Sequence, residues 1–538
     1  MTKIFFITGG VVSGIGKGIS TASIGLIFKQ MGYNVMIKKL DPYLNVDPGT
    51  MSPSQHGEVF VTNDGIECDM DLGHYERFTG IETTKDSNIT AGKIYQMLLE
   101  NERKGKYLGA TVQTIPHVTN LIKDFILKKK ENYDIILCEI GGTVGDIEAL
   151  PFFEAARQVK QKFRGNVAFI HLTYIPYLEA AKEIKTKPTQ HSVKELMSIG
   201  IVPDVLICRS SVKIGKENKK KIALFCNVEE QSVIEALDVP NIYSIPLFYV
   251  EQGLHLELAK AVDLPMKNPD LSEFEAMLTK SHVFKKSIRI LIAGKYATKE
   301  SYKSLFEAIN HAGIATEAKI EISWINTKKY DKEEIGDEIF KGIDAVIIPG
   351  GFGAEGAEGK IKIIQQAREK DIPLLGICYG LQLMVIEFAR NVLGIKNAAS
   401  EEFEIENSQN IIGLITNFEK DGKLETRSQN SDMGGTMRLG SYKGTLVENT
   451  LASKIYNSNS FSERHRHRYE IDMKYRTKFE EKGFIFSGIS SDGKLPEIGE
   501  ISALKFFLGV QFHPELKSQF LKPHPLFVNL AKKALEGK

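Results

Sequence analysis

A cysteine lies between two glycines in "GICYG", Gly376 to Gly380, just after the apolar run that starts at Pro373. G-x-C-x-G at a strand-to-helix turn has the form of a nucleophile elbow. The sharp turn exposes the sulfur, and the N-terminus of the following helix favours the thiolate. A thiol nucleophile needs a base, and the base needs an acid to orient it. "LGVQFHPE" supplies His513 and Glu515 at the end of another apolar run. Such partners can lie far apart in sequence. "IIPGGFG" ends a third run at residues 349–353, where small residues leave backbone N–H groups free for an oxyanion hole. A lone cysteine can be mere packing, and a lone histidine structural. The three segments together point to covalent catalysis by Cys378.

A second stretch, "ITGGVVSGIGKGIS" at residues 7–20, resembles a phosphate loop but breaks its rule. G-x-x-x-x-G-K-[ST] would put glycine at position 11 and Ser or Thr after the lysine. Position 11 is Val11, Gly10 comes one residue early, and Gly18 follows Lys17. The physical needs are still met. Small residues let N–H groups crowd round phosphate oxygens, the next helix points its positive end at the anion, and Lys17 reaches the outer phosphates. A plain tight turn and a dinucleotide site are the alternatives. The extra lysine and the absence of G-x-G-x-x-G favour a nucleoside triphosphate. A replacement is then required for the missing metal-binding hydroxyl. Glu139 ends the apolar run in "YDIILCEIGG", and Asp71 lies in "ECDMDLGHYERF". Mg²⁺ takes one or two carboxylates plus phosphate and water, so this pair would serve. The bland readings are a helix cap for Glu139 and a solvated loop for Asp71.

Around these residues, short apolar runs alternate with amphipathic stretches. Strands are expected at 4–8, 35–40, 135–139, 167–172, 205–208 and 242–245, with helices at 18–31 and 151–162 among others. That alternation argues for α/β domains built on parallel sheets. Two prolines, mixed charges and one short helix at 263–287 mark an interdomain linker, set at 266–287. A fresh series follows at 288–293, 320–325, 345–349, 373–376 and 507–512. Two domains result, 1–265 and 288–538. Residues 400–505 are expected to hold antiparallel strands and loops.

The 538 residues carry 69 Lys+Arg against 68 Asp+Glu, a net charge of +1, so no global pull toward nucleic acid or an anionic membrane exists. Five cysteines, an odd number without a C-x-x-C pair, suggest neither a disulfide framework nor a zinc site. No apolar run reaches the ~18 residues of a membrane span. A reducing cytoplasm is expected.

These residues also carry a family resemblance. The segments at 349–353, 373–382 and 511–515 look like a class I glutamine amidotransferase domain. "ITGGVVSGIGKG", "KLDPYLNVDPGTMSPSQHGEVFV", "DLGHYERF", "LGATVQTIPHVT", "EIGGTVGDIE", "KTKPTQHSVKEL" and "KIALFCNV" resemble the synthetase domain of the CTP synthases, with "GGTMRLG" and "ERHRHRYE" matching in the second half. The resemblance implies a P-loop, Rossmann-like synthetase domain. There ATP phosphorylates the 4-oxygen of UTP, and ammonia released from glutamine displaces the phosphate. Carried over residue by residue, it implies ATP contacts at Gly14, Ile15, Gly16, Lys17, Gly18, Ile19, Asp71, Leu237, Asp238 and Val239. The pyrimidine nucleotides UTP and CTP would meet Ser13, Asp146, Ile147, Glu148, Lys185, Thr186, Lys187, Pro188, Thr189, Gln190 and Lys221. Glutamine would meet Gly351, Tyr379, Gly380, Leu381, Gln382, Glu402 and Arg468. Mg²⁺ would sit on Asp71 and Glu139. A homotetramer, GTP activation and CTP inhibition are implied as well.

Three rivals remain. A cobyric-acid-type amidase joins similar domains but amidates carboxylates, and the "KTKPTQHSVKEL" and "DPYLNVDPGTM" segments argue against it. A non-enzymatic filament protein would be expected to have lost Cys378, His513 or Glu515. A nucleic-acid role for Arg464-His465-Arg466-His467-Arg468 meets the +1 balance and the lack of a nucleic-acid fold motif.

Overall fold

The computed structural model describes residues 1–537 apart from 282, 297, 416, 421–422 and 427–436, with backbone alone for 417–420 and 423–426. The chain forms two compact units. One comprises Met1–Pro48 and Asp71–Leu278, the other Gly49–Met70 and Thr279–Lys538.

The first unit is a parallel sheet with crossover helices. Its strands are β1 (Lys3–Gly9), β2 (Val35–Asp41), β3 (Asn88–Thr90), β4 (Ile135–Ile140), β5 (Val167–Tyr174), β6 (Val205–Ser210) and β7 (Val233–Leu237), in the spatial order β7-β6-β5-β1-β4-β2-β3. Nearly every residue of β1, β2, β4 and β5 is buried. Continuous apolar runs are what a sheet covered on both faces requires. Helices α1 (Lys17–Gln30), α2 (Asp71–Thr79), α3 (Leu150–Lys162), α4 (Lys187–Ser198) and α5 (Lys216–Cys226) complete what the candidate site uses.

Two expectations fail here. Residues 242–245 are not a strand but a 3-10 turn, Ile242–Ser244, leading into the helix Ile245–Glu251. The Asn241 side chain accepts from the Tyr243 N–H, and Pro246 sits in the first helical turn, where its fixed φ favours helix. The missed edge strand β7 contains Glu235, which breaks the apolar pattern. Its carboxylate accepts the N–H groups of Ile214 and Gly215. The short helix expected in a linker, α6 (Ser272–Lys280), packs Phe274 against Phe78 and Tyr243 of the first unit, with ring centroids 6.4 and 6.3 Å apart.

The second unit holds a nine-stranded mixed sheet. Strands β8 (Lys286–Gly294), β9 (Ala318–Asn326), β10 (Ala345–Ile348) and β11 (Leu374–Ile377) are parallel. Then β12 (Arg438–Leu446), β13 (Ser460–His467), β14 (Phe484–Ser490) and β15 (Pro496–Ile501) run antiparallel, and β16 (Phe507–Val510) returns to lie parallel beside β11. The order is β9-β8-β10-β11-β16-β15-β14-β12-β13. Helices α7 (Lys303–Ala315), α8 (Ala357–Glu369) and α9 (Tyr379–Asn391) are the ones that matter below.

A boundary read from linker composition leaves out Gly49–Met70, an excursion anchored in the second unit. Glu58 accepts the Ser304 N–H at 3.0 Å, Arg464 donates to Asn63 at 2.6 Å, and Arg466 donates to Glu67 at 2.8 Å. Arg464 is also fully buried, so this part of the basic run faces inward rather than toward nucleic acid.

Candidate functional site

In the second unit, strand register builds the site. Ile348 pairs with Gly376 and Ile377 with Val510, so the carboxyl ends of β10, β11 and β16 lie side by side. In α/β sheets this is where ligands bind. The loop 349–353 leaves β10, Cys378 leaves β11, and Gln511, His513 and Glu515 follow β16. Cys378 adopts φ 52°, ψ −102°, a left-handed conformation rare outside glycine, at the N-cap of α9. Both flanking glycines are required: a Cβ at Gly380 would lie 2.3 Å from the Ile348 carbonyl, and one at Gly376 2.4 Å from the Met384 sulfur.

The Cys378 sulfur is nearly buried, 3.7 Å from the Gln511 amide nitrogen and 3.8 Å from the Arg466 carbonyl. His513 Nδ1 bonds Glu515 Oε1 at 2.7 Å. Nε2 is buried and makes no hydrogen bond to the described residues. Burial alone would discharge this imidazole, but Glu515 and then Cys378 override it and push its pKa up to about 10. Gly350, Gly351, Cys378, His513 and Glu515 line one cavity of about 70 Å³.

The residues expected to meet glutamine divide. Glu402 accepts the Gly353 N–H at 2.8 Å, and Tyr379 donates to the Gly353 carbonyl at 2.6 Å, so both hold the loop. Burial pushes the Glu402 pKa up against the opposing pull of Gly353, Lys295 and Arg468. Gln382 donates to the Tyr469 carbonyl at 2.9 Å, and Leu381 is fully buried.

In the first unit the loop from β1 into α1 carries Gly14 and Gly16 at φ 67° and 98°, which glycine alone takes without strain. Ser13 and Gly14 are exposed, whereas Ile15 is buried and Ile19, inside α1, is half-exposed. Lys17 donates to the Gly142 carbonyl at 2.6 Å, and its pKa is lowered by burial. A Cβ at Gly10 would lie 1.7 Å from Ser192 Oγ, which explains a glycine outside the usual spacing. A Cβ at Gly18 would lie 2.0 Å from Asp71 Oδ1. The carboxylate of Asp71, at the start of α2, fills the space where the usual Ser or Thr would stand.

Register sets Lys39 beside Glu139, and Nζ donates to Glu139 Oε1 at 2.9 Å and to Asp71 Oδ2. Burial opposes its charge, and Asp71 and Glu139 hold its pKa well above the usual lysine range. Tyr75 donates to the other Glu139 oxygen at 2.5 Å. The two carboxylates expected to hold Mg²⁺ thus converge on one cationic group, the Lys39 ammonium, and no cluster of three or more His, Cys, Asp or Glu side chains placed for a metal occurs among the described residues. Lys39 and Tyr75 were not legible as site residues, because only register and the turn into α2 bring them there.

Arg209 is another residue missed. It donates to the Gly14 carbonyl at 3.1 Å and to Asp238 at 3.0 Å. It thereby ties the segment with Leu237, Asp238 and Val239 to the phosphate loop. Asp146 accepts the Thr143 N–H at 2.6 Å in the turn after β4, while Ile147 and Glu148 project to solvent. At the start of α4, Thr186 accepts from Gln190 and Thr189 accepts from Thr173; Pro188 lies in the first turn. Lys185 pairs with Glu183, Lys187 lies over the Phe225 ring of α5, and Lys221 is exposed on the same helix.

Comparison with known proteins fits both halves. Residues 3–264 match the family described as CTP synthase N-terminus, and 297–533 match glutamine amidotransferase class-I. The CTP synthase of Agrobacterium fabrum is 50% identical, covering 100% of this chain and 99% of its own. That of Nitrobacter hamburgensis is 52% identical, with 99% of each chain covered. The chain belongs to the CTP synthase family. A solved glutaminase domain of Trypanosoma brucei CTPS with bound acivicin is 32% identical, covers 46% of this chain and 94% of its own, and gives a TM-score of 0.41. In this CTP synthase family member both halves gather their candidate residues at the carboxyl ends of parallel strands.

Proposed function

We propose that this chain aminates UTP to CTP at the expense of ATP, with ammonia taken from glutamine. The observation that carries the reading is Cys378, held at left-handed φ at the end of β11, with the 349–353 loop on one side and the His513–Glu515 pair on the other.

In the glutaminase half, the Cys378 sulfur attacks the glutamine amide carbon. The C–S bond forms and the carbonyl electron pair moves to oxygen, facing the 349–353 loop. Collapse breaks the C–N bond, and His513 gives its proton to the departing ammonia. Glu515 keeps Nδ1 occupied, so Nε2 is the working nitrogen. Water then hydrolyses the thioester to glutamate. Gly351, Tyr379, Gly380, Leu381, Gln382, Glu402 and Arg468 form the glutamine pocket, with Tyr379 and Glu402 acting by holding the loop.

In the synthetase half, the loop amides of residues 13–19 and Lys17 hold the ATP phosphates. The 4-oxygen of UTP takes the γ-phosphoryl group and ADP leaves. Ammonia adds to C4, phosphate departs with the C–O electron pair, and nitrogen loses a proton to water. Asp71 and Glu139 would hold Mg²⁺, which when bound supplies positive charge to the phosphate oxygens. Lys185, Lys187 and Lys221 with the start of α4 take the pyrimidine triphosphate, and Asp146, Ile147 and Glu148 meet CTP, which inhibits. GTP activation, a homotetramer and a cytoplasmic setting complete the proposal. Leu108 and Ile147, 94% and 80% exposed, are apolar side chains that a second copy would cover.

The test mixes protein, UTP, ATP, Mg²⁺ and glutamine and follows the absorbance change of uracil becoming cytosine. CTP should accumulate, and ammonium salts should replace glutamine. No product from either nitrogen source would overturn the reading.

A further inference from the structure

The 349–353 loop is gripped almost residue by residue. Lys360 of α8 donates to the Pro349 carbonyl at 2.9 Å, Lys295 after β8 donates to the Phe352 carbonyl, and Glu402 and Tyr379 hold the two ends of Gly353. Lys360 is the unusual member. Its side chain has 0% exposure, its Nζ lies 5.1 Å from the Tyr379 ring centroid, and its hydrogen-bond acceptor is a single carbonyl. No carboxylate pairs with it among the described residues. A buried ammonium in that setting is costly, and an apolar side chain of similar volume would fill the space without the penalty.

We propose that Lys360 is a positioning residue for glutamine hydrolysis, fixing the Pro349–Gly350 peptide so that its N–H is aimed away from α8. A trans peptide points C=O and N–H in opposite directions. Anchoring the Pro349 oxygen on Lys360 therefore sets where the Gly350 N–H points. The Gly350 end of that peptide lies beside His513, where a Cβ would fall 2.9 Å from Cε1, and a Cβ on the next residue, Gly351, would lie 3.6 Å from Lys360 Nζ. An oxyanion loop whose donors are aimed before reaction spends nothing on reorganisation during it. The hydrogen bond to Pro349 does not depend on the charge of Lys360. Burial first, then Lys295, push its pKa down to about 7 against a smaller pull from Cys378, and the neutral amine still donates to Pro349.

The inference rests on the glutaminase reading, and its test separates the two. Wild type, Lys360→Met and Lys360→Gln are compared for glutamine hydrolysis, ammonia-dependent CTP synthesis, and alkylation of Cys378 by iodoacetamide. Alkylation uses the same thiolate but forms no oxyanion. In Lys360→Met, kcat for hydrolysis should fall about 10- to 100-fold, short of the ~10²–10³ that losing a whole oxyanion donor costs. KM should stay within about twofold, since the donor acts in the transition state rather than in binding. Alkylation and ammonia-dependent synthesis should match wild type. Lys360→Gln, read the same way, replaces Lys360→Met should the latter fail to fold. Hydrolysis within about twofold of wild type would overturn the inference, as would alkylation that falls in step with hydrolysis, which puts Lys360 on the thiol instead. A folded wild type that hydrolyses no glutamine overturns the glutaminase reading itself.

Discussion

His513 is pulled in opposite directions, and Glu515 decides the result. Burial would empty the ring of its proton, yet the carboxylate and the neighbouring sulfur push the pKa up to about 10. The imidazole therefore carries a proton at neutral pH, ready for the leaving ammonia. The folded state holds this proton more tightly than an unfolded histidine near 6.5, so its contribution to stability is complete below pH 6.5. It is lost as pH rises toward 10. Glu515→Gln removes the partner that opposes burial. Glutamine hydrolysis should drop at least about 100-fold, by analogy with orienting acids in other triads. The alkaline decline in melting temperature between pH 6.5 and 10 should flatten as well. An unchanged pH profile for hydrolysis in a folded Glu515→Gln protein would remove Glu515 from the triad. Cys378, His513 and Glu515 were legible because motif chemistry is local. Arg209, Lys39, Lys295 and Lys360 were not, because a lysine or arginine in a strand or helix gains its role only from what register sets beside it.

At the scale of elements, the phosphate loop breaks its consensus because α2 intrudes on it. Asp71 occupies the place of the hydroxyl, so restoring the consensus should do harm. Gly18→Ser drives a Cβ to within 2.0 Å of Asp71 Oδ1, in a carboxylate whose other oxygen Lys39 already holds. We expect CTP synthesis from either nitrogen source to fall by at least about 100-fold, in line with losing one preorganised electrostatic contact. Glutamine hydrolysis should persist. A Gly18→Ser enzyme with normal ammonia-dependent synthesis would disprove the steric account. Adjacent strands supply a second device. Thr8 and His171 are register partners, and His171 bridges Thr8 and Ser192 with 2.8 Å hydrogen bonds on its two ring nitrogens. This ties the strand before the loop to α4. Burial, with Lys17 adding to it, holds His171 neutral at a pKa of about 3. The unfolded histidine binds a proton below about 6.5 and the folded one does not, so stability is lost as pH falls from 6.5 toward 3. His171→Gln should flatten that acid decline in thermal melts; a slope identical to wild type would assign the acid sensitivity elsewhere. The parallel strands were legible as apolar runs. Strand β7 was not, since Glu235 interrupts its pattern to serve loop N–H groups. Nor was Gly49–Met70, whose anchors are single side chains spread over Asn63, Glu67, Ser304, Arg464 and Arg466.

For the whole molecule, the two units carry chemistries that can fail separately, and the direction of dependence is fixed by the order of steps. In the proposed reaction phosphoryl transfer precedes amination whichever source supplies nitrogen. Lys17→Ala should therefore abolish CTP synthesis with glutamine and with ammonium salts, to below about 1% of wild type, while basal glutamine hydrolysis stays within about threefold; a lost phosphoryl clamp is worth at least two decades in rate. Cys378→Ala should behave in the opposite way. It removes the sulfur that attacks glutamine and touches nothing that UTP or ATP needs, so external ammonia enters after the missing step. Ammonia-dependent synthesis should stay near wild type and rise with pH as free ammonia accumulates, whereas glutamine-dependent synthesis disappears. The substitution should cost little stability, because alanine is smaller and no strongly paired polar group is stranded. Relief of the left-handed strain at Cys378 is not expected, since alanine tolerates φ 52° no better. The measurement is one assay with two nitrogen sources on two purified variants, with circular dichroism to confirm folding. Equal loss from both sources in folded Cys378→Ala would mean that the sulfur is not a dedicated glutaminase nucleophile. Retained synthesis in Lys17→Ala would mean that ATP is held elsewhere.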